Sequence, residues 1–237
     1  MNTYSLLIAV SVGLGLGWTA ARTPARLALE TVDNGLAVLL GALVGGRLGF
    51  VVAHWAYFRT QPVEIFQVWL GGVSGSGALV GAFLALLLVA WVIRQHPGLM
   101  ADRLLPLGAA LVAGAWLACW VSGVAYGSET SAWWGLPAMD EQGLVLKRVP
   151  VQALGALAGL AWFVQLETGQ KTLSQLPAGS SAAIWLLGTA LCMFGLSYLR
   201  ADSIQLLSGL RLDAWGSLGV AGLALLALLG AWLVRRR

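Results

Sequence analysis

Seven stretches of mostly apolar residues recur along this chain, at 4–21, 36–56, 73–93, 104–126, 149–166, 182–199 and 215–234. A helix needs about 20 such residues to cross the hydrocarbon core of a bilayer. No water in that core can bond the backbone, so runs of this length must satisfy their own N–H and C=O groups as helices. Composition agrees, because 59% of the 237 residues are hydrophobic and 10% charged, against roughly 45–50% and 25% in soluble domains. A water-facing enzyme and a disordered chain are both excluded. The sequence predicts an all-α integral membrane bundle of about seven transmembrane helices, forming a single polytopic domain over 1–237.

The first stretch has no basic residue ahead of it, so it reads as a retained span. A signal peptide needs a positive n-region and a small-residue cleavage site. Basic residues orient the rest. With the N-terminus outside, Arg22, Arg26, Arg94, Arg103, Lys171 and Arg235–Arg237 fall inside, while Arg59, Lys147, Arg148, Arg200 and Arg211 fall outside. Eight against five favours N-out, C-in. The net charge of +4 is explained by this placement, so no nucleic-acid partner is expected. Two connections are longer than the rest. The polar stretch 127–148 reads as an outer interfacial cap, and 200–214 as a segment lying along the interface. The twelve Trp fit interfacial belts. No repeat of the kind that builds inverted-repeat transporters is visible.

Among residues that can carry chemistry, Arg47 stands out because it falls inside a predicted span. An ionisable side chain there is costly and faces the bundle interior or a water-filled cavity. It either marks a site or pairs structurally, with Glu64 as the natural acid. His54 follows two helical turns later on the same face. Glycines at 13, 15 and 17 lie in a spanning segment with no strand before them, so they suit helix–helix contact rather than a nucleotide loop. Those at 41, 45, 46 and 49 sit within the second stretch. Gly71–Gly77, with Ser74 and Ser76, opens a span, where exposed amides make either an anion site or an ordinary turn. Two His and the separated Cys119 and Cys192 offer no metal-ligand spacing, and both thiols read as buried side chains. Neither a metal nor another cofactor is expected.

The segment 45–81, GGRLGFVVAHWAYFRTQPVEIFQVWLGGVSGSGALVG, resembles the prolipoprotein diacylglyceryl transferase family. There a Gly-Arg-Leu-Gly-aromatic segment leads to a Pro-x-Glu-Ile-Phe-x-x-Trp-x-Gly-Gly turn, here Gly46–Phe50 and Pro62–Gly72. The likeness continues more weakly through 114–127, 148–152 and 198–216. The resemblance implies seven spans with the N-terminus outside, in the bacterial inner membrane. It implies transfer of diacylglyceryl from phosphatidylglycerol, or another phospholipid, to the lipobox cysteine thiol of a prolipoprotein, releasing glycerol phosphate. On this reading Arg47, Arg200, Gly75 and Gly77 hold the lipid phosphate, Ser76 stands at the family's catalytic histidine, and Glu64, His54 and Gln152 support them.

Several family positions differ. Ser76 replaces a histidine, Trp116 an arginine, Cys119 and Ser122 two asparagines, Val124 a glutamate and Tyr198 a second arginine. Tryptophan offers one donor and no charge where arginine offers five donors. Two functions therefore stand side by side: the transferase reaction through a rewired site, and a catalytically degenerate homologue that binds phospholipid or lipoprotein without transfer.

Overall fold

A computed structural model describes residues 3–67, 72–169, 175–203 and 206–235. Each predicted stretch holds a helix: α1 (Thr3–Arg22), α2 (Ala25–Ala53), α4 (Gly75–Val92), α6 (Leu105–Val121), α7 (Val151–Thr168), α8 (Ser180–Ser197) and α9 (Leu212–Arg235). Short helices α3 (Trp55–Phe58) and α5 (Pro97–Arg103) and a 3₁₀ turn (Pro62–Phe66) join them. The bundle is all-α, but about seven spans is more than helix length and apolarity support. Among the described residues, Thr3–Arg22, Ala25–Val52, Ser180–Ser197 and Leu212–Leu233 are long and apolar enough to cross, which makes four. Gly77–Val92 with Pro97–Arg103, bent by 119°, makes a fifth if the bent pair is one span. His96 and Pro97 cause that bend: the imidazole Nδ1 accepts from the Gly98 N–H at 3.2 Å, and proline opens α5.

Two boundaries depart from expectation. Helix α2 begins at Ala25 rather than near 36, because its polar first turns find partners. The Thr31 hydroxyl donates to the Leu27 carbonyl at 2.8 Å, and Gln95 reaches Glu30 at 2.6 Å. Helix α6 ends at Val121 rather than 126, where Gly123 and Ala125 take positive φ values of 65° and 58°.

Glycine sets the closest packing. A Cβ on Gly45 would lie 2.5 Å from the Gly77 carbonyl oxygen and 2.6 Å from the Gly81 Cα, and one on Gly41 would lie 2.8 Å from the Gly81 carbonyl oxygen. Helices α2 and α4 therefore touch backbone to backbone, as small-residue interfaces allow in a bilayer. Gly15 and Gly114 seat α1 on α6 in the same way, whereas Gly13 and Gly17 meet open space.

The core lies among α6, α7 and α8. Trp116 packs with Ala113, Val151, Ala156 and Leu196, and both free cysteines border that cluster. Trp185 packs with Phe163 and Leu166. These two tryptophans are core residues, not belt residues, because each fills space that a neighbouring glycine or alanine leaves open. Trp133, by contrast, is 90% exposed.

The stretch 127–148 forms an antiparallel hairpin, β1 (Leu136–Met139) with β2 (Val145–Arg148). Residues 126–130 run beside it, bonding Thr130 to Lys147 on one side and Ser128 to Leu199 on the other. A second small hairpin, β3 (Leu206–Leu207) with β4 (Leu210–Arg211), leads into α9. At the opposite end Asp102 accepts from the Gly179 and Ala182 amides at 2.7 and 2.8 Å, capping the start of α8 from a distance.

Candidate functional site

Arg47 projects from α2 and is 6% exposed. Its guanidinium donates to four backbone carbonyls: Ile65 at 3.0 Å, Gly72 at 3.1 Å, Gln67 at 3.3 Å, and Glu64. The rings of Phe50 and Phe58 lie 5.9 and 5.3 Å from its Cζ, a cation–π setting that compensates a buried charge. A 3₁₀ turn leaves carbonyls without helical partners, and the planar fork of arginine collects several at once. Arg47 thus meets Glu64 through the main chain. The Glu64 carboxylate instead accepts from the Tyr57 hydroxyl at 2.6 Å, a bond that holds the Tyr57 phenol above its ordinary pKa.

The turn is tied back to α2 at two further points. The Ser74 amide donates to the Gly46 carbonyl at 2.9 Å. Gly72 has φ +79°, and a Cβ there would lie 2.4 Å from the Phe50 ring, so neither backbone nor space admits a side chain. Ser74 then caps α4, accepting from the Gly77 N–H at 3.2 Å. Of the expected phosphate-binding glycines, Gly77 packs against Gly45 and Gly75 meets open space. The side chain of Ser76 lies outside the described residues. His54 ends α2, its Nδ1 3.0 Å from the Phe50 carbonyl and its ring 4.1 Å from the Phe50 ring.

A second group of charges sits in the cap. Arg200 bonds Asp202 at 2.9 and 2.5 Å and pairs with Asp213 at 2.6 Å. Arg211 bonds Asp202 at 2.8 Å and Asp213 at 3.3 Å. Two cations and two anions interlock, and the quartet is neutral. Burial alone would lower the Arg200 pKa, but the bond and charge of Asp202 and the charge of Asp213 outweigh it and raise it. Burial would likewise raise Asp202, and Arg200 with Arg211 overrides it, holding the carboxyl below its ordinary value.

Arg148 is the neighbouring cation. It pairs with Asp140 at 3.0 Å, reaches the Gly127 carbonyl at 3.5 Å and stands 4.7 Å from the Tyr126 ring. Gly127 pairs in turn with Arg200 across an antiparallel bridge. Gln152 is 1% exposed and donates to the Val124 carbonyl at 3.1 Å. The structure therefore gathers Arg47, Glu64 and His54 around Phe50, and places Arg200 and Gln152 in the cap over α6–α9. Residue-by-residue reading missed Arg148, Asp140 and Tyr126. Their signal was the 148–152 segment, whose Arg and Gln both prove buried. Among the described residues no three His, Cys, Asp or Glu side chains gather as a metal site.

A family model described as prolipoprotein diacylglyceryl transferase matches residues 1–230. The phosphatidylglycerol–prolipoprotein diacylglyceryl transferase of Burkholderia multivorans is 30% identical over 257 aligned residues, covering 93% of this chain and 81% of that protein. The proteins of the same name from Burkholderia ambifaria and Nitratidesulfovibrio vulgaris are 31% and 28% identical, covering 93% and 91% of this chain and 81% of each relative.

Proposed function

This chain belongs to the prolipoprotein diacylglyceryl transferase family, and from that premise we propose that it transfers diacylglyceryl from phosphatidylglycerol to the lipobox cysteine of a prolipoprotein. It does so as a single multi-pass domain of the bacterial inner membrane, N-terminus outside and C-terminus cytoplasmic, with the 127–148 cap on the outer side. The observation that carries this reading is the bonding of Arg47 to the carbonyls of Glu64, Ile65, Gln67 and Gly72, where the family likeness is strongest.

In the reaction the substrate thiol loses its proton and its sulfur bonds the terminal glyceryl carbon of the lipid. The carbon–oxygen bond to phosphate breaks, and glycerol phosphate leaves with the electron pair and takes up the proton. The nucleophile belongs to the substrate, so the protein must supply phosphate binding, positioning and a proton acceptor. Arg200, with Arg211 beside it, supplies the cationic contact, and the first amides of α4 at Gly75 offer a second set of donors. Arg47 holds the turn in shape. Donors fixed in advance around developing charge are worth about 3–4 kcal/mol each in an enclosed site.

Trp116 raises the alternative reading, in which lipid or lipoprotein is bound without transfer, though nothing in the comparisons favours it. It occupies a family arginine position yet is 8% exposed and stacked over Gly155, whose Cβ would lie 2.3 Å from the indole. Purified protein, phosphatidylglycerol and a lipobox-cysteine peptide decide between the two, with a family member bearing the usual residues run alongside. A diacylglyceryl mass gain on the peptide is the expected result. No gain beside a working control, with phospholipid still copurifying, favours binding alone.

A further inference from the structure

From the geometry at the end of α2 we infer that His54 Nε2 is the base that receives the thiol proton, an assignment resting on the transferase reading above. The Phe50 carbonyl can only accept, so the ring nitrogen 3.0 Å from it, Nδ1, carries the hydrogen. In the neutral imidazole the other nitrogen then holds the lone pair. His54 is exposed, and Nε2 has no partner among the described residues. Stacking on Phe50 at 4.1 Å and 30° fixes the ring plane. The same Phe50 ring lies against Gly72, so the imidazole stands one aromatic ring away from the turn organised by Arg47.

Other candidates are committed elsewhere. Tyr57 gives its proton to Glu64 at 2.6 Å, which occupies both groups. His96 lies beyond the far end of α4, its Nδ1 accepting from Gly98. Around His54 the remaining ionisable groups are Arg47 on α2, Tyr57 on α3, Arg59 just after it and Glu64 on the 3₁₀ turn. Helix α1, packed along α2, has Arg22 at the end joined to Ala25, paired with Glu167, and α4 carries no ionisable group over Gly75–Val92.

The proton moves from the peptide thiol to Nε2 as the sulfur–carbon bond forms and the carbon–oxygen bond breaks. It passes from the imidazolium to the departing glycerol phosphate, returning the ring to its starting form. The test is the transfer rate of the full-length protein to a lipobox peptide between pH 5.5 and 9. His54→Asn keeps a donor for the Phe50 carbonyl and removes Nε2. Expected is a drop in kcat of about 100-fold or more at pH 7 with little change in KM for the peptide. His54→Ala should recover part of the rate in added imidazole. A His54→Asn protein that melts normally and keeps the wild-type kcat overturns the assignment. No product from the unsubstituted protein beside a working family member instead overturns the transferase reading, and the role of His54 with it.

Discussion

The Arg47 guanidinium donates to the Gly72 carbonyl at 3.1 Å, closing a loop of 25 residues. With Ile65, Glu64 and Gln67 bonded by the same group, one side chain fixes the path of a turn that has little regular structure of its own. A charge that looked like a ligand-binding group from its place in the sequence is therefore also the organiser of the main chain around it.

Replacing Arg47 with Lys keeps the charge but not the fork. An ammonium offers three donors about one point and cannot meet four separated carbonyls. Each buried carbonyl left unpaired costs about 1–3 kcal/mol. Arg47→Lys should lower the melting temperature in detergent by several degrees and reduce transfer, measured on the same preparation. A lysine protein with unchanged melting would show that the carbonyl bonds contribute little.

Gly81→Ala should be among the most damaging single-atom additions in the chain. Its Cβ would lie 2.2 Å from the Gly41 carbonyl oxygen and 2.8 Å from the Gly45 Cα, so the two helices must separate. Overpacking of this kind costs about 1–3 kcal/mol, sometimes more. Gly13→Ala, with nothing within 4 Å, should leave the thermal transition where it was. Equal behaviour of the two variants would refute the backbone contact.

Asp202 makes stability depend on acid pH. Its folded-state pKa lies below its ordinary value because Arg200 and Arg211 outweigh the opposing effect of burial. A group depressed in the folded state stabilises it above the unfolded pKa, near 4, and that contribution is lost as pH falls through the folded value. The melting temperature should be flat above about pH 5 and decline below it. Asp202→Asn should lower the plateau and flatten the acid limb. An unchanged acid limb in that variant would place the sensitivity elsewhere.

Trp116→Arg returns the family's residue type to a site that has become apolar. The guanidinium would enter a cluster of Ala113, Val151, Ala156 and Leu196, where an unpaired charge is strongly disfavoured. The folded yield from size-exclusion chromatography should drop well below wild type. A well-folded variant with faster transfer would mean that the pocket still accepts the original chemistry.

Much of this was legible in the sequence. Apolar runs locate the long helices, but the glycines that read as packing residues are 13, 15 and 17, of which only Gly15 meets a neighbour, and the tight pair rests on Gly41, Gly45 and Gly81. Arg47 stands out as a charge within a span, but its bonds to turn carbonyls do not, because a sequence does not show which distant carbonyls lack partners. The early start of α2 was hidden, since Glu30, Asp33 and Asn34 look like loop residues until Gln95 supplies a distant partner. The strands of 127–148 were hidden too. Their pairing is local, Leu136–Met139 against Val145–Arg148, but four-residue strands with Pro137 inside one of them read as loop. Trp116 and Trp185 read as belt residues because hydropathy cannot distinguish an indole facing lipid from one filling the space over a glycine.

The glycine contact between α2 and α4 also bears on how a lipid with two long tails gets in and out. Side chains make a seam that can part, because rotamers turn and neighbours slide over one another. Two backbones in direct contact have no such lubricant, and α2 with α4 should behave as one stiff plank carrying Arg47 at one end. A sideways doorway for acyl chains is then confined to the seams lined by rotating side chains, and the plank serves as its fixed jamb.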